Sequence, residues 1–76
     1  MISEKTQIGK NVDIHPLALI EENTKIGDGT KIGPFCIVRK GAIIGKNCKF
    51  TAYCEIRENV IIGDNCIIES YSYIGY

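Results

Sequence analysis

A branched or aromatic apolar residue falls on every sixth position from Ile2 to Ile74 without a miss. The series runs Ile2, Ile8, Ile14, Ile20, Ile26, Ile32, Val38, Ile44, Phe50, Ile56, Ile62, Ile68 and Ile74. Apolar positions recur about every 3.6 residues in a helix and every second residue in one continuous strand. A period of six fits neither. It is the pattern of a solenoid in which each hexad supplies one short strand and one corner. The expected fold is all-β, a single-stranded parallel β-helix.

The same frame sorts most other residue types. With the Ile site as position one, position five holds Thr6, Val12, Ala18, Thr24, Thr30, Cys36, Ala42, Cys48, Cys54, Val60, Cys66 and Ser72, all small. Positions five, six and one alternate in, out, in along a strand of about four residues. The interior is then one layer of large and one of small side chains. Position four collects Asn11, Asn23, Asn47, Asn59, Asn65, Gly29 and Gly41, residues that tolerate positive φ, and so reads as a left-handed corner. At that same position Leu17, Phe35, Tyr53 and Tyr71 intervene, each eighteen residues from the last. Eighteen residues are three hexads. One coil is therefore a triangle, the chain holds about four coils with no loop insertion, and the four bulky residues stack along one edge.

The 76 residues form one domain, 1–76, small enough that a single core leaves little net stability. Neither end shows the atypical repeat that normally caps a solenoid, so the expectation is a piece of a longer solenoid or one that needs partners. Nine basic and nine acidic residues are interspersed, giving zero formal charge. That leaves no electrostatic footprint for nucleic acid or an anionic membrane. No apolar run is long enough to span a bilayer, and the opening residues do not read as a charged-then-apolar leader. The cytoplasm is the expected location.

Four cysteines in so short a chain invite a disulfide framework or a zinc site. All four occupy the small inward slot, and none forms a Cys-x-x-Cys pair. Stacked strands hold Cβ atoms about 4.8 Å apart, wider than the roughly 3.5–4.5 Å a disulfide prefers. Free thiols packed as small hydrophobes are expected. His15, the single histidine, lies outward at position two with no acidic partner pattern, and reads as structural or solvent-exposed. One histidine does not supply a metal site. Thr6, Thr24 and Thr30 point inward, against a flat ice-binding face.

Position six faces solvent, yet it carries Leu19, Ile37 and Tyr73 on one face and Ile43 and Ile61 on another. With Leu17, Phe35, Tyr53 and Tyr71 these are expected to form an apolar strip down one edge. Contiguous patches of this kind mark interfaces. The expected oligomer contact is Leu17, Leu19, Phe35, Ile37, Tyr53, Tyr71 and Tyr73.

The run Ile14-His15-Pro16-Leu17-Ala18-Leu19-Ile20-Glu21-Glu22, followed by Ile32-Gly33-Pro34-Phe35-Cys36-Ile37-Val38, resembles the bacterial hexapeptide-repeat acyltransferases. It is similar to the opening coils of the UDP-N-acetylglucosamine O-acyltransferases that begin lipid A synthesis. The nearly full coil before Ile14 looks more like the N-acetyltransferases of nucleotide-linked amino sugars. The resemblance implies a left-handed β-helix, although ordinary parallel crossovers are right-handed. It also implies a trimer with active sites between subunits. The donor would be an acyl thioester of coenzyme A or acyl carrier protein, and a histidine on a later coil would deprotonate the sugar hydroxyl or amine. No residue here matches that histidine, so no catalytic, cofactor-binding or metal residue is carried over. This stretch alone is expected to be inert. A non-catalytic trimerising rod is the alternative. A γ-type carbonic anhydrase is disfavoured, because the chain lacks the metal-binding histidines.

Overall fold

The computed structural model describes residues 1–75, and Tyr76, the last residue of the expected domain, lies outside them. Twelve strands follow in chain order: β1 Gln7–Ile8, β2 Asp13–Ile14, β3 Leu19–Ile20, β4 Lys25–Ile26, β5 Lys31–Ile32, β6 Ile37–Val38, β7 Ile43–Ile44, β8 Lys49–Phe50, β9 Glu55–Ile56, β10 Ile61–Ile62, β11 Ile67–Ile68 and β12 Tyr73–Ile74. Every third strand pairs in parallel. Sheet 1 is β1-β4-β7-β10, sheet 2 is β2-β5-β8-β11, and sheet 3 is β3-β6-β9-β12. The registers step by eighteen residues, as in Ile8 on Ile26 and Ile26 on Ile44. The three sheets form a β-solenoid of about four turns, consistent with a left-handed β-helix.

Each strand is two residues long, positions six and one, shorter than the four expected. The ladder nevertheless reaches both flanks. Gln7 N–H donates to Thr24 O at 2.9 Å and Gly9 N–H to Ile26 O at 2.9 Å. Extended geometry ends where the corner must turn the chain within about three residues.

The corners turn at position four as the Asn and Gly pattern requires. Asn11, Asn23, Asn47, Asn59 and Asn65 have φ between 56° and 62°, and Gly29 and Gly41 have φ of 75°. Phe35, Tyr53 and Tyr71 share this conformation, at 59°, 54° and 64°. Leu17 is not among the positive-φ residues. Its corner is built differently: Ala18 N–H donates to His15 O at 2.9 Å, and Leu17 N–H donates to His15 Nδ1 at 3.1 Å.

The core is the predicted pair of layers. Ile20, Ile26, Ile32, Val38, Ile44, Phe50, Ile56 and Ile62 are buried, together with Ala18, Cys36, Ala42, Cys48 and Cys54. Thr24 and Thr30 are fully buried polar residues. The small slot does more than leave room, since a buried corner carbonyl needs a donor. Thr30 Oγ1 donates to Gly45 O at 2.8 Å, Thr24 Oγ1 to Glu21 O at 2.8 Å, Cys48 Sγ to Gly63 O at 3.1 Å and Cys54 Sγ to Glu69 O at 3.2 Å. All four acceptors are position-two carbonyls. Thr and Cys occur there because they are small and carry a donor. The four cysteines are free thiols, and burial pushes the Cys36 thiol above its ordinary range.

Two core substitutions gauge this packing. Cys54→Phe overfills the slot and is expected to cost about 1–3 kcal/mol or more. Ile62→Ala leaves a cavity and is expected to cost about 2–5 kcal/mol. Denaturant unfolding measures both, and a variant as stable as the parent would mean its side chain is not confined.

Candidate functional site

The corner between β2 and β3, repeated every coil, forms the edge joining sheets 2 and 3. Its position-four side chains make a column. The Phe35 and Tyr53 ring centroids lie 5.0 Å apart with planes 13° off parallel, and Tyr53 and Tyr71 lie 5.2 Å apart at 5°. Stacked coils set that spacing, since neighbouring strands sit about 4.8 Å apart. About half of Phe35 and Tyr53 and 78% of Tyr71 remain exposed, and Leu17 continues the column.

Three aromatic residues with positive φ have an energetic consequence. The left-handed conformation costs an ordinary L-residue roughly 1–2 kcal/mol. A ring stack returns about 0.5–1.5 kcal/mol beyond the area it buries. Three strained residues are set against two stacks, so the strain is offset only in part and folding of one chain gains little from aromatic residues where Asn or Gly serve elsewhere.

Beside this edge, sheet 3 presents Leu19, Ile37, Glu55 and Tyr73 in register. Leu19 and Ile37 are half-buried and Tyr73 is exposed. The expected contact residues thus share one edge and one adjoining face. Ile43 and Ile61 do not join them. They lie on sheet 1, the face opposite the aromatic edge, so the expected single strip is two separate patches. Ile67, outward on sheet 2 and 69% exposed, also occupies position six, and the frame alone was enough to find it.

Glu55 interrupts the apolar column because it belongs to an ion network crossing the coils. Arg39 Nη1 lies 3.1 Å from Glu21 Oε2, and Arg39 Nε lies 3.0 Å from Glu55 Oε2. Arg57 reaches Glu55 at 2.7 Å and Glu58 at 3.2 Å, and its guanidinium sits 5.7 Å from the Tyr73 ring centroid. Glu21, Arg39 and Arg57 all stand at position two, eighteen residues apart, so the coil register already aligned them. The Arg57 and Arg39 guanidinium groups hold the Glu55 carboxyl below the ordinary glutamate range. Glu55 and Glu21 in turn raise Arg39, and Glu55 raises Arg57.

The lowered Glu55 value fixes a pH dependence. Its stabilisation is full above the unfolded glutamate value of about 4.3 and is lost as pH falls through the lower folded value. The parent is therefore expected to lose more melting temperature than Glu55→Gln between about pH 6 and about pH 3. Parallel melting curves would show that the network adds nothing. The pairs are about a quarter exposed, so solvent screening keeps the contribution of each one small.

His15 is exposed, in a cleft on sheet 2 of about 270 Å³ with Asp13, Lys31, Lys49 and Thr51. Among the described residues no group of three or more His, Cys, Asp or Glu side chains could hold a metal ion. No helix among them is long and apolar enough to cross a membrane.

A triangular prism of uninterrupted hexads defines the class of hexapeptide-repeat β-solenoids. The pattern of the bacterial transferase hexapeptide family (six repeats) matches residues 23–58 and again 41–76. The chain belongs to that family and is a scaffold of its transferase type. No curated protein matches the chain.

Proposed function

We propose that this chain is the β-helical scaffold portion of an acyltransferase, and that it assembles with copies of itself through the aromatic edge. The observation that carries the assembly is the exposed column Phe35, Tyr53 and Tyr71, held in a backbone conformation that disfavours aromatic side chains. Leu17 continues it along the edge, and sheet 3 extends it through Leu19, Ile37 and Tyr73. A closed ring removes the strip from water, and the family resemblance makes a trimer the assembly of first choice.

The acyl group would come from a thioester of coenzyme A or of acyl carrier protein, as the family membership supports. The acceptor would be a hydroxyl or amine, with a nucleotide-linked sugar favoured by the resemblance of residues 14–38. On this reading the protein works in the cytoplasm. General-base catalysis requires a positioned group within hydrogen-bond reach of the acceptor proton. His15, the single histidine, has its Nδ1 engaged by Leu17 N–H.

The chain by itself is therefore expected to show no turnover with acetyl-coenzyme A or acyl carrier protein and a panel of nucleotide sugars. Turnover abolished by His15→Ala would overturn this reading. A normally assembled but inert chain is the expected result.

A further inference from the structure

We infer that the cleft on sheet 2 binds a phosphoryl dianion through Lys31, Lys49 and His15. This inference is independent of the acyltransferase reading. It begins with the position-six column Asp13, Lys31, Lys49 and Ile67, one residue per coil in exact parallel register. Lys31 therefore sits directly opposite Lys49, about 4.8 Å away between strands. Like charges directly opposite one another destabilise a sheet.

In the ion network beside sheet 3, charge is arranged to cancel. Arg39 lies between Glu21 and Glu55, and Arg57 between Glu55 and Glu58. Lys25 faces Gln7 and Ile43, with no cation beside it. Lys31 and Lys49 form no ion pair with the described residues, and Asp13 neighbours Lys31 alone. Lys49 faces Lys31 on one side and Ile67 on the other.

The third donor is fixed by the corner. His15 Nδ1 accepts the Leu17 N–H at 3.1 Å, so the neutral ring carries its proton on Nε2. A histidine held in this tautomer offers a donor and no second acceptor. His15, Lys31 and Lys49 line the same cleft, and the Thr51 hydroxyl lies on its rim, shared with Ser70 Oγ at 2.8 Å. Set against the one Asp13 carboxylate, two ammonium groups and an imidazole N–H leave the cleft net positive, with several donors for the oxygens of a phosphoryl group. Bound phosphate removes the Lys31–Lys49 repulsion and converts a cost of the fold into charge-assisted hydrogen bonds.

Two sources share this chemistry, a soluble phosphate monoester and a phosphomonoester lipid headgroup. The test titrates the full chain with inorganic phosphate and with glycerol phosphate at constant ionic strength, following amide and imidazole NMR shifts. A parallel arm adds vesicles containing phosphatidic acid. Saturable shifts centred on His15, Lys31, Lys49 and Thr51 are expected. Lys31→Met/Lys49→Met is expected to weaken binding by about tenfold or more, since a hydrogen bond to a charged group is worth roughly 1.5–3 kcal/mol. Both sites face solvent and lose a repulsion, so the variant is expected to melt no lower than the parent. Response to glycerol phosphate identifies a soluble ligand, and response to vesicles alone a headgroup. No saturable response in either arm, or equal binding by the double variant, would overturn the inference.

Discussion

Gly33→Ala is expected to unfold the chain or cost about 4 kcal/mol or more, a size reserved for severe steric or core defects. The methyl group has nowhere to go. A Cβ on Gly33 would lie 1.6 Å from Thr51 O, 2.8 Å from Thr51 C and 3.0 Å from Phe50 O. Those are backbone atoms of the next coil, already fixed by Gly33 N–H donating to Phe50 O at 2.9 Å. Relief requires the two coils to part at that corner, which breaks the ladder between β5 and β8. A domain of this size has only about 5–10 kcal/mol to lose. Gly63→Ala gives the contrast within this chain, because β10 is the last strand of sheet 1 and no described residue lies one coil above Gly63. Gly63 also stands at position two, yet a Cβ there meets nothing within 4 Å, and its φ is not positive. Alanine at Gly63 is expected to be neutral, or stabilising by up to about 1 kcal/mol through the unfolded chain. Urea denaturation of the two variants decides the matter. Equal stabilities would mean that the close approach of coils at Gly33 is not as described.

The contrast between these two glycines shows where sequence reading stops. The hexad frame reveals every strand, because position one is fixed by burial and position four by the sign of φ. The frame identifies both as position-two glycines, and the distances show how closely the next coil approaches at Gly33, a coil that Gly63 does not have among the described residues. The aromatic edge was equally legible, since an eighteen-residue spacing in a three-sided coil stacks Phe35, Tyr53 and Tyr71 whatever else the chain does. Assigning Ile43 and Ile61 to that strip failed because it skipped one step of topology. They are an apolar pair of position-six residues, but on sheet 1. The donors in the small slot were hidden for a different reason. Thr30 and Cys48 look like size choices until the carbonyls of Gly45 and Gly63 are seen to need partners. The Glu55 network was readable in register and was obscured by treating charges only as a total.

Phe35→Asn/Tyr53→Asn is expected to abolish self-association while leaving the fold of the single chain almost unchanged. The two readouts separate because the energies separate. Asn relaxes a left-handed strain of roughly 1–2 kcal/mol per aromatic residue and gives up stacks worth about 0.5–1.5 kcal/mol each. Stability of the dilute chain should therefore shift by no more than about 1–2 kcal/mol in either direction, the difference between those terms. Across an interface the same rings act as buried anchors, each worth about 2 kcal/mol or more when removed. Losing two weakens each contact by roughly a thousandfold, taking about 1.4 kcal/mol per factor of ten. Sedimentation equilibrium of parent and double variant, paired with thermal melts at low concentration, reads both quantities. The parent is expected to sediment as a small closed oligomer and the variant as a monomer with a similar melt. A parent that stays monomeric at high concentration, or a variant that assembles like the parent, would remove the aromatic edge from the interface. A variant that is monomeric but unfolded would instead assign the column to folding. In that case the strain at Phe35 and Tyr53 would be offset inside one chain, with no need of a partner.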